Sequence, residues 1–246
     1  ISQMVGGVAP IFYFMKRRPG CRLYFTKPLF SLWELFKACT NGASELMTNI
    51  SMSLVSALYN IQLLKLFGAD GVAAYGVLMY VGFVFAAVFI GYAQGCAPIV
   101  SYHFGADNKD ELKNLLRRSV TIISVAGVAM LVSSELLAGA LAKIFVGYDA
   151  GLLALTIHGM KLYSISFILS GFNIFGSAFF TALNNGFISS VISLFQSVVF
   201  QIIAVIALPL WLGTDGIWLS ISIAKLLAFF VTVSFWISCR KEYHYA

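Results

Sequence analysis

The chain is 246 residues long, 60% hydrophobic and only 11% charged, with a formal net charge of +6. Soluble domains carry about 45–50% apolar and about 25% charged residues, so the excess excludes an ordinary water-soluble globule and calls for a lipid bilayer. The cations gather beside apolar runs, the positive-inside pattern of a membrane protein, and no nucleic-acid partner is expected.

Residues 1–15, ISQMVGGVAPIFYFM, are too short to span and lack the basic region of a signal peptide. They read as the tail of a preceding transmembrane helix, and the chain as a piece of a larger protein. Residues 16–41 form a basic cytoplasmic loop with an interfacial helix, capped at Ser31-Leu32-Trp33-Glu34 and striped by Leu32, Leu35, Phe36 and Cys39. From 42 to 246 the sequence predicts a six-helix transmembrane lobe, with apolar runs near 42–66, 72–100, 119–146, 155–182, 186–211 and 216–239. Each run has at least 24 residues, and about 20 helical residues cross the hydrocarbon core. No alternation of the kind a membrane barrel needs is present. The expected fold class is an all-α polytopic membrane protein: six transmembrane helices plus the tail of an earlier one.

Lys16, Arg17, Arg18, Arg22, Lys27 and Lys37 precede the first run, Lys109, Lys113, Arg117 and Arg118 follow the second, and Arg240 and Lys241 follow the sixth. That places both ends of the lobe, including the C-terminus, in the cytoplasm of a cell with a plasma (inner) membrane. The opposite face has short connections: GADG at 68–71, VGYD at 146–149 and GTDG at 213–216. Asp70 and Asp215 stand where helix N-caps would. The echo between GADG and GTDG reads either as internal repetition or as two ordinary turns.

On the second run, Gly91 and Gly95 have the spacing that lets another helix approach closely. After Pro98 and a polar turn, Asn108-Lys109-Asp110-Glu111 has the form of a helix cap. It opens a cytoplasmic amphipathic helix, 108–118, with Leu112, Leu115 and Leu116 on one face.

The sequence contains no HExxH, GxSxG, Walker lysine loop or GxGxxG. His103, His158 and His244 lie far apart, and Cys21, Cys39, Cys96 and Cys239 form no CxxC. No enzyme, bound metal or cofactor is expected.

Charges inside spans normally face a cavity or a partner. Glu45 follows Thr40-Asn41-Gly42, which invites a helix break, and Asn49, Thr48, Ser44 and Ser51 put oxygens nearby. Such a carboxylate can take up H⁺ or coordinate Na⁺; alternatively it pairs with a lysine or sits near the interface. Lys161 either lines a cavity or snorkels, Lys225 is read as snorkelling, and Glu135 as structural. Met52 and Met79 are candidates for a soft cavity wall.

CTNGASEL at 39–46, GADGVAAYGVLMYV at 68–81, QGCAPIVSYHFGADN at 94–108 and FFTALNN at 179–185 together resemble the second half of a multidrug and toxic compound extrusion (MATE) transporter, nearest its bacterial multidrug-resistance branch. The resemblance covers essentially the whole chain, from the end of the sixth helix through the twelfth. It implies one lobe of a two-lobe antiporter, whose partner would be an N-terminal six-helix lobe of the same protein. It further implies export of amphipathic, often cationic organic compounds against H⁺ or Na⁺ by alternating access. The family's seventh-helix glutamate aligns nearer Thr48 than Glu45. The acid that sodium-driven members carry on the tenth helix is absent here, leaving Asn173 as that helix's most suggestive polar group. The expected site is therefore Glu45, Thr48 and Asn49 for ion coupling, with possible Na⁺ at Glu45, and Met52, Met79, Asn173 and Lys161 for the substrate cavity. The competing readings are a lipid-linked oligosaccharide flippase of the same superfamily and an oligomeric membrane pore or scaffold.

Overall fold

A computed structural model describes residues 2–15 and 31–243; the side chains of Asn41, Ser44, Glu45, Met47 and Thr48 lie outside the described set. The basic segment 16–30, with Cys21, also lies outside it. The chain falls into two units, Ile1–Phe36 and Lys37–Ala246.

In the first unit, α1 (Ser2–Met15) exposes Met4, Phe12 and Met15. The beginning of α2 (Leu32–Gly105) is also here, capped by Ser31, whose hydroxyl accepts from the Glu34 amide at 3.4 Å. The second unit is all helical: the rest of α2, α3 (Lys109–Val146), α4 (Ala150–Ser164), α5 (Ser166–Ala182), α6 (Gly186–Leu194), a π-helical turn at Phe195–Val199, α7 (Phe200–Leu212), α8 (Thr214–Ser238) and α9 (Arg240–Tyr243).

The break expected at Thr40-Asn41-Gly42 does not occur. The helix runs through it, and the Thr40 hydroxyl donates to the Lys37 carbonyl at 2.9 Å, a bond that a helix accommodates. The break falls instead at Gly68, whose φ of 67° and ψ of −150° are open to glycine almost alone. There the chain folds back on itself. Tyr59 and Tyr75 would stand about 24 Å apart on one straight helix, yet their rings stack at 5.1 Å. Gly213 repeats the geometry, φ 60° and ψ −138°, between α7 and α8. The GADG and GTDG echo is therefore a repeated backbone device.

Asp215 does not cap α8. It sits in the first turn, after Gly213, and its carboxylate meets His158 Nε2 on α4 at 2.8 Å. Asp70 lies within α2, past the break. Asp149 does cap its helix, accepting from the amides of Gly151 and Leu152 at 2.8 and 3.0 Å.

Asn108 caps α3 as its sequence predicts, accepting from the Glu111 amide at 3.2 Å. The amphipathic stretch it opens is continuous with the rest of α3, and Leu112 and Leu116 are buried. The same corner is built twice. Asp107 (φ 51°) precedes the Asn108 cap, and Asn184 (φ 58°) precedes Asn185, which accepts from the Ile188 amide at 3.1 Å. Asp and Asn tolerate this left-handed conformation better than bulkier residues.

Four helical stretches are long and apolar enough to cross a membrane, and a fifth arises if α4 and α5, bent by 48°, count as one. The first stretch, Asn49–Gly105, contains the Gly68 reversal. Large apolar side chains such as Leu136, Ile144 and Leu210 stand about three-quarters exposed, a surface that lipid covers without penalty.

Gly91 and Gly95 do not serve close helix packing among the described residues: a Cβ at either meets no described neighbour within 4 Å. Spacing identifies a face and not its direction, and this face points outward. Close approaches between helices occur at other glycines, among them Gly127, where a Cβ would lie 3.0 Å from the Ile168 backbone, and Gly171, where it would lie 2.5 Å from Phe89 and 2.6 Å from Ile123.

Candidate functional site: a cavity among the helices

The second unit contains an open-sided cavity of about 320 Å³. The arm of α2 before Gly68 contributes Ser51, Met52, Val55 and Tyr59; the arm after it contributes Tyr75, Met79, Phe89 and Gln94. Tyr163 of α4, Phe167 and Ser177 of α5, Gln196 of the π-helical turn, Gln201 of α7 and Lys225 of α8 complete the wall.

Long-range hydrogen bonds fix this wall. The Tyr59 hydroxyl lies 2.6 Å from Ser220 Oγ and donates to Gln201 Oε1 at 3.1 Å, tying α2 to both α7 and α8. Ser177 lies 3.0 Å from Ser189 Oγ and 2.8 Å from Ser193 Oγ, so small residues hold α5 against α6 at short range. Tyr163 fits because Gly82 leaves room, since a Cβ there would lie 2.3 Å from its hydroxyl. The π-helical turn gives the wall an extra residue, and π-bulges frequently mark functional sites. Its Gln196 is buried, and Oε1 of that side chain has no hydrogen-bond partner among the described residues.

Met52 and Met79 both lie on this wall. Asn49 is exposed on α2. Glu45 and Thr48 lie on the helical backbone of α2, and their side chains fall outside the described set.

Lys161 and Asn173 lie outside the lining, correcting their assignment to the cavity. Lys161 is exposed. Asn173 is fully buried, and both ends of its carboxamide are engaged within the protein: Nδ2 donates to the Lys225 carbonyl at 3.0 Å, and Oδ1 accepts from Thr232 Oγ1 at 3.2 Å. Glu135 accepts from Ser164 Oγ at 2.5 Å, a contact that joins α3 to α4 and fits its structural reading.

Lys225 also departs from expectation. It belongs to the cavity wall, half-buried, and no acid among the described residues pairs with it. Its position within an apolar span was the available signal. The π-helical turn carries no comparable sequence mark. Among the described residues no group of three or more His, Cys, Asp or Glu side chains is placed to hold a metal ion.

Comparison with known proteins places this architecture. The sequence profile of the MatE family matches residues 46–206. The multidrug export protein MepA of Staphylococcus saprophyticus is 24% identical over 232 residues, which are 92% of this chain and 49% of MepA. An outward-facing multidrug resistance MATE family transporter of the MOP superfamily superposes with a TM-score of 0.88 at 19% identity, over 100% of this chain and 55% of that one. A MOP superfamily transporter from Pyrococcus furiosus, for which reverse polarity of the binding pocket suggests a different function, superposes with a TM-score of 0.81 at 21% identity, over 97% and 55% of the two chains. The chain thus spans about half the length of the relatives it matches. It is a multi-pass membrane protein, and it belongs to the MATE family, a family of transporters and not of enzymes.

Proposed function

We propose that this chain is one lobe of a cation-coupled antiporter that exports amphipathic organic compounds by alternating access. The observation that carries this reading is the cavity of about 320 Å³ in a MATE-family chain, apolar and aromatic with a few polar groups. Binding sites for amphipathic small molecules have that composition. The other wall would come from an N-terminal lobe of the same transporter, and the C-terminus would be cytoplasmic.

In this reading Glu45 is the group whose charge the coupling ion changes, by protonation or Na⁺ binding, with Thr48 and Asn49 beside it on α2. An ion biases a two-state transporter only by binding one arrangement better than the other, and a membrane-embedded carboxylate can supply that difference. Within this lobe a cationic substrate would depend on Glu45, because the described lining contains no acid.

The test is ethidium transport by the full-length protein in proteoliposomes under imposed H⁺ and Na⁺ gradients, for wild type and Glu45→Gln. Transport lost in the variant with the fold intact supports Glu45 as the switch. Equal transport by both moves the coupling site elsewhere. Absence of gradient-driven transport of any organic compound overturns the antiporter reading.

A further inference from the structure

We propose that Lys225 forms a subsite for an acidic group and Gln196 one for a hydrogen-bond donor on the same ligand, so that this lobe accepts organic anions, specifically aromatic carboxylates; the inference rests on the cavity's being the substrate site of the proposed transporter.

Lys225 is the charged residue of the described lining, and nothing acidic among the described residues neutralises it. A charge at membrane depth faces water or a partner. In an empty cavity water can play that part. In an occupied one the ligand displaces the water, and only an anionic ligand replaces what it removed. An organic cation placed beside the ammonium would add repulsion to that loss.

The lysine does not sit there loosely. Asn173 donates to its backbone carbonyl from α5, and Thr232, about two turns further along α8, donates to Asn173 in turn. These bonds fix the stretch of backbone that holds Lys225 at the cavity wall. Asn173 is thus a positioning residue for Lys225.

Gln196 supplies a second, independent mark. Its Oε1 is buried and unpaired on the same wall. A buried acceptor without a donor is costly, and a ligand that donates a hydrogen bond relieves the cost. The rest of the wall indicates the body of the ligand. The rings of Tyr59, Tyr75, Tyr163, Phe89 and Phe167 all line it, a surface suited to flat aromatic groups. An aromatic carboxylate carrying a hydroxyl or amide donor satisfies the three features together.

The experiment compares carboxyfluorescein and ethidium as ligands of the detergent-solubilised full-length protein, read by fluorescence polarisation, for wild type, Lys225→Met, Lys225→Arg and Gln196→Leu. The expected result is carboxyfluorescein binding weakened about tenfold by Lys225→Met, largely retained by Lys225→Arg, and weakened about threefold by Gln196→Leu. Ethidium binding is not weakened by Lys225→Met. Failure of the wild type to bind carboxyfluorescein overturns the proposal. So does equal binding by wild type and Lys225→Met, or an equal loss for both dyes, which would mark a packing role. Should Lys225→Met not fold, tighter binding of the anion by Lys225→Arg than by Gln196→Leu supports the subsite, and the reverse order overturns it. The same dyes in proteoliposomes separate the two claims. Lysine-dependent binding of the anion without gradient-driven movement of either dye upholds the subsite and sinks the antiporter. Driven ethidium with no carboxyfluorescein binding does the opposite.

Discussion

Asn173 on α5 and Lys225 on α8, 52 residues apart in sequence, are joined by a single 3.0 Å hydrogen bond from a side-chain amide to a backbone carbonyl. The carbonyl belongs to a helix, so the amide adds a second bond to a group that already has an intrahelical partner. Most of its worth is the fixing of two helices. Replacing Asn173 by Leu removes the bonds to Lys225 and Thr232 while keeping volume. Hydrogen bonds between membrane helices average about 0.6 kcal/mol, so a loss of about 1 kcal/mol is expected, read as a lowered unfolding midpoint in detergent.

Gly68 and Gly213 hold backbone angles that other residues adopt only under strain. Alanine at either position should destabilise the protein by about 1–3 kcal/mol. Gly91→Ala, at a helical position where the new methyl meets nothing, should be neutral or slightly stabilising. Thermal unfolding of the three variants in parallel tests the contrast, and equal midpoints for all three would refute it.

Gly171→Ala pushes a methyl against Phe89 and Ile123. Both belong to one buried cluster with Phe175 and Phe179, and Phe89, which also lines the cavity, can yield only by giving up contacts within that cluster. Overpacking of this kind costs about 1–3 kcal/mol. The expected reading is a fall in midpoint larger than that of Asn173→Leu.

The His158–Asp215 contact is short, 2.8 Å, but both side chains are more than half exposed. Pairs of this kind contribute about 0–1 kcal/mol. Asp215→Asn should therefore shift the unfolding midpoint less than Gly213→Ala does two positions earlier. A larger shift would mean that the pair, and not the glycine, holds the α7–α8 reversal.

Tyr59→Phe removes the hydroxyl shared by Ser220 and Gln201. The ring and its stack on Tyr75 remain, so the loss should stay near 1 kcal/mol. Gln201 then has a free carbonyl at the cavity wall. Binding of hydrogen-bond-donating dyes should tighten relative to dyes without donors, measured by polarisation on the same preparation.

Much of the lobe was legible because its local chemistry has few solutions. Apolar runs of membrane length announce helices, and Asn108 followed by acidic residues announces a cap. Gly68 and Gly213 were visible as turn residues, although their matching angles were not. What escaped depends on neighbours. The spacing of Gly91 and Gly95 is identical whether their face meets a helix or nothing. Asn173 was read as a cavity residue because it is a lone amide within an apolar span, and sequence cannot say that a backbone carbonyl of α8 occupies it instead. Lys225 was read as reaching outward because a long side chain near a span's outer half can do so; only packing turns it inward. The continuity of α2 through Gly42 follows the same rule, since a glycine costs a helix only about 1 kcal/mol.

The π-helical turn at Phe195–Val199 also bears on chain length. Removing one residue from an α-helix swings everything beyond it by about 100°, turning lipid-facing side chains inward. At a π-bulge the surplus residue can be deleted while the flanking turns keep their phase. A homologue one residue shorter between α6 and α7 would thus preserve both helices and lose only this local widening. An alignment gap placed there would mark a change in the wall at Gln196, with the helices on either side unshifted.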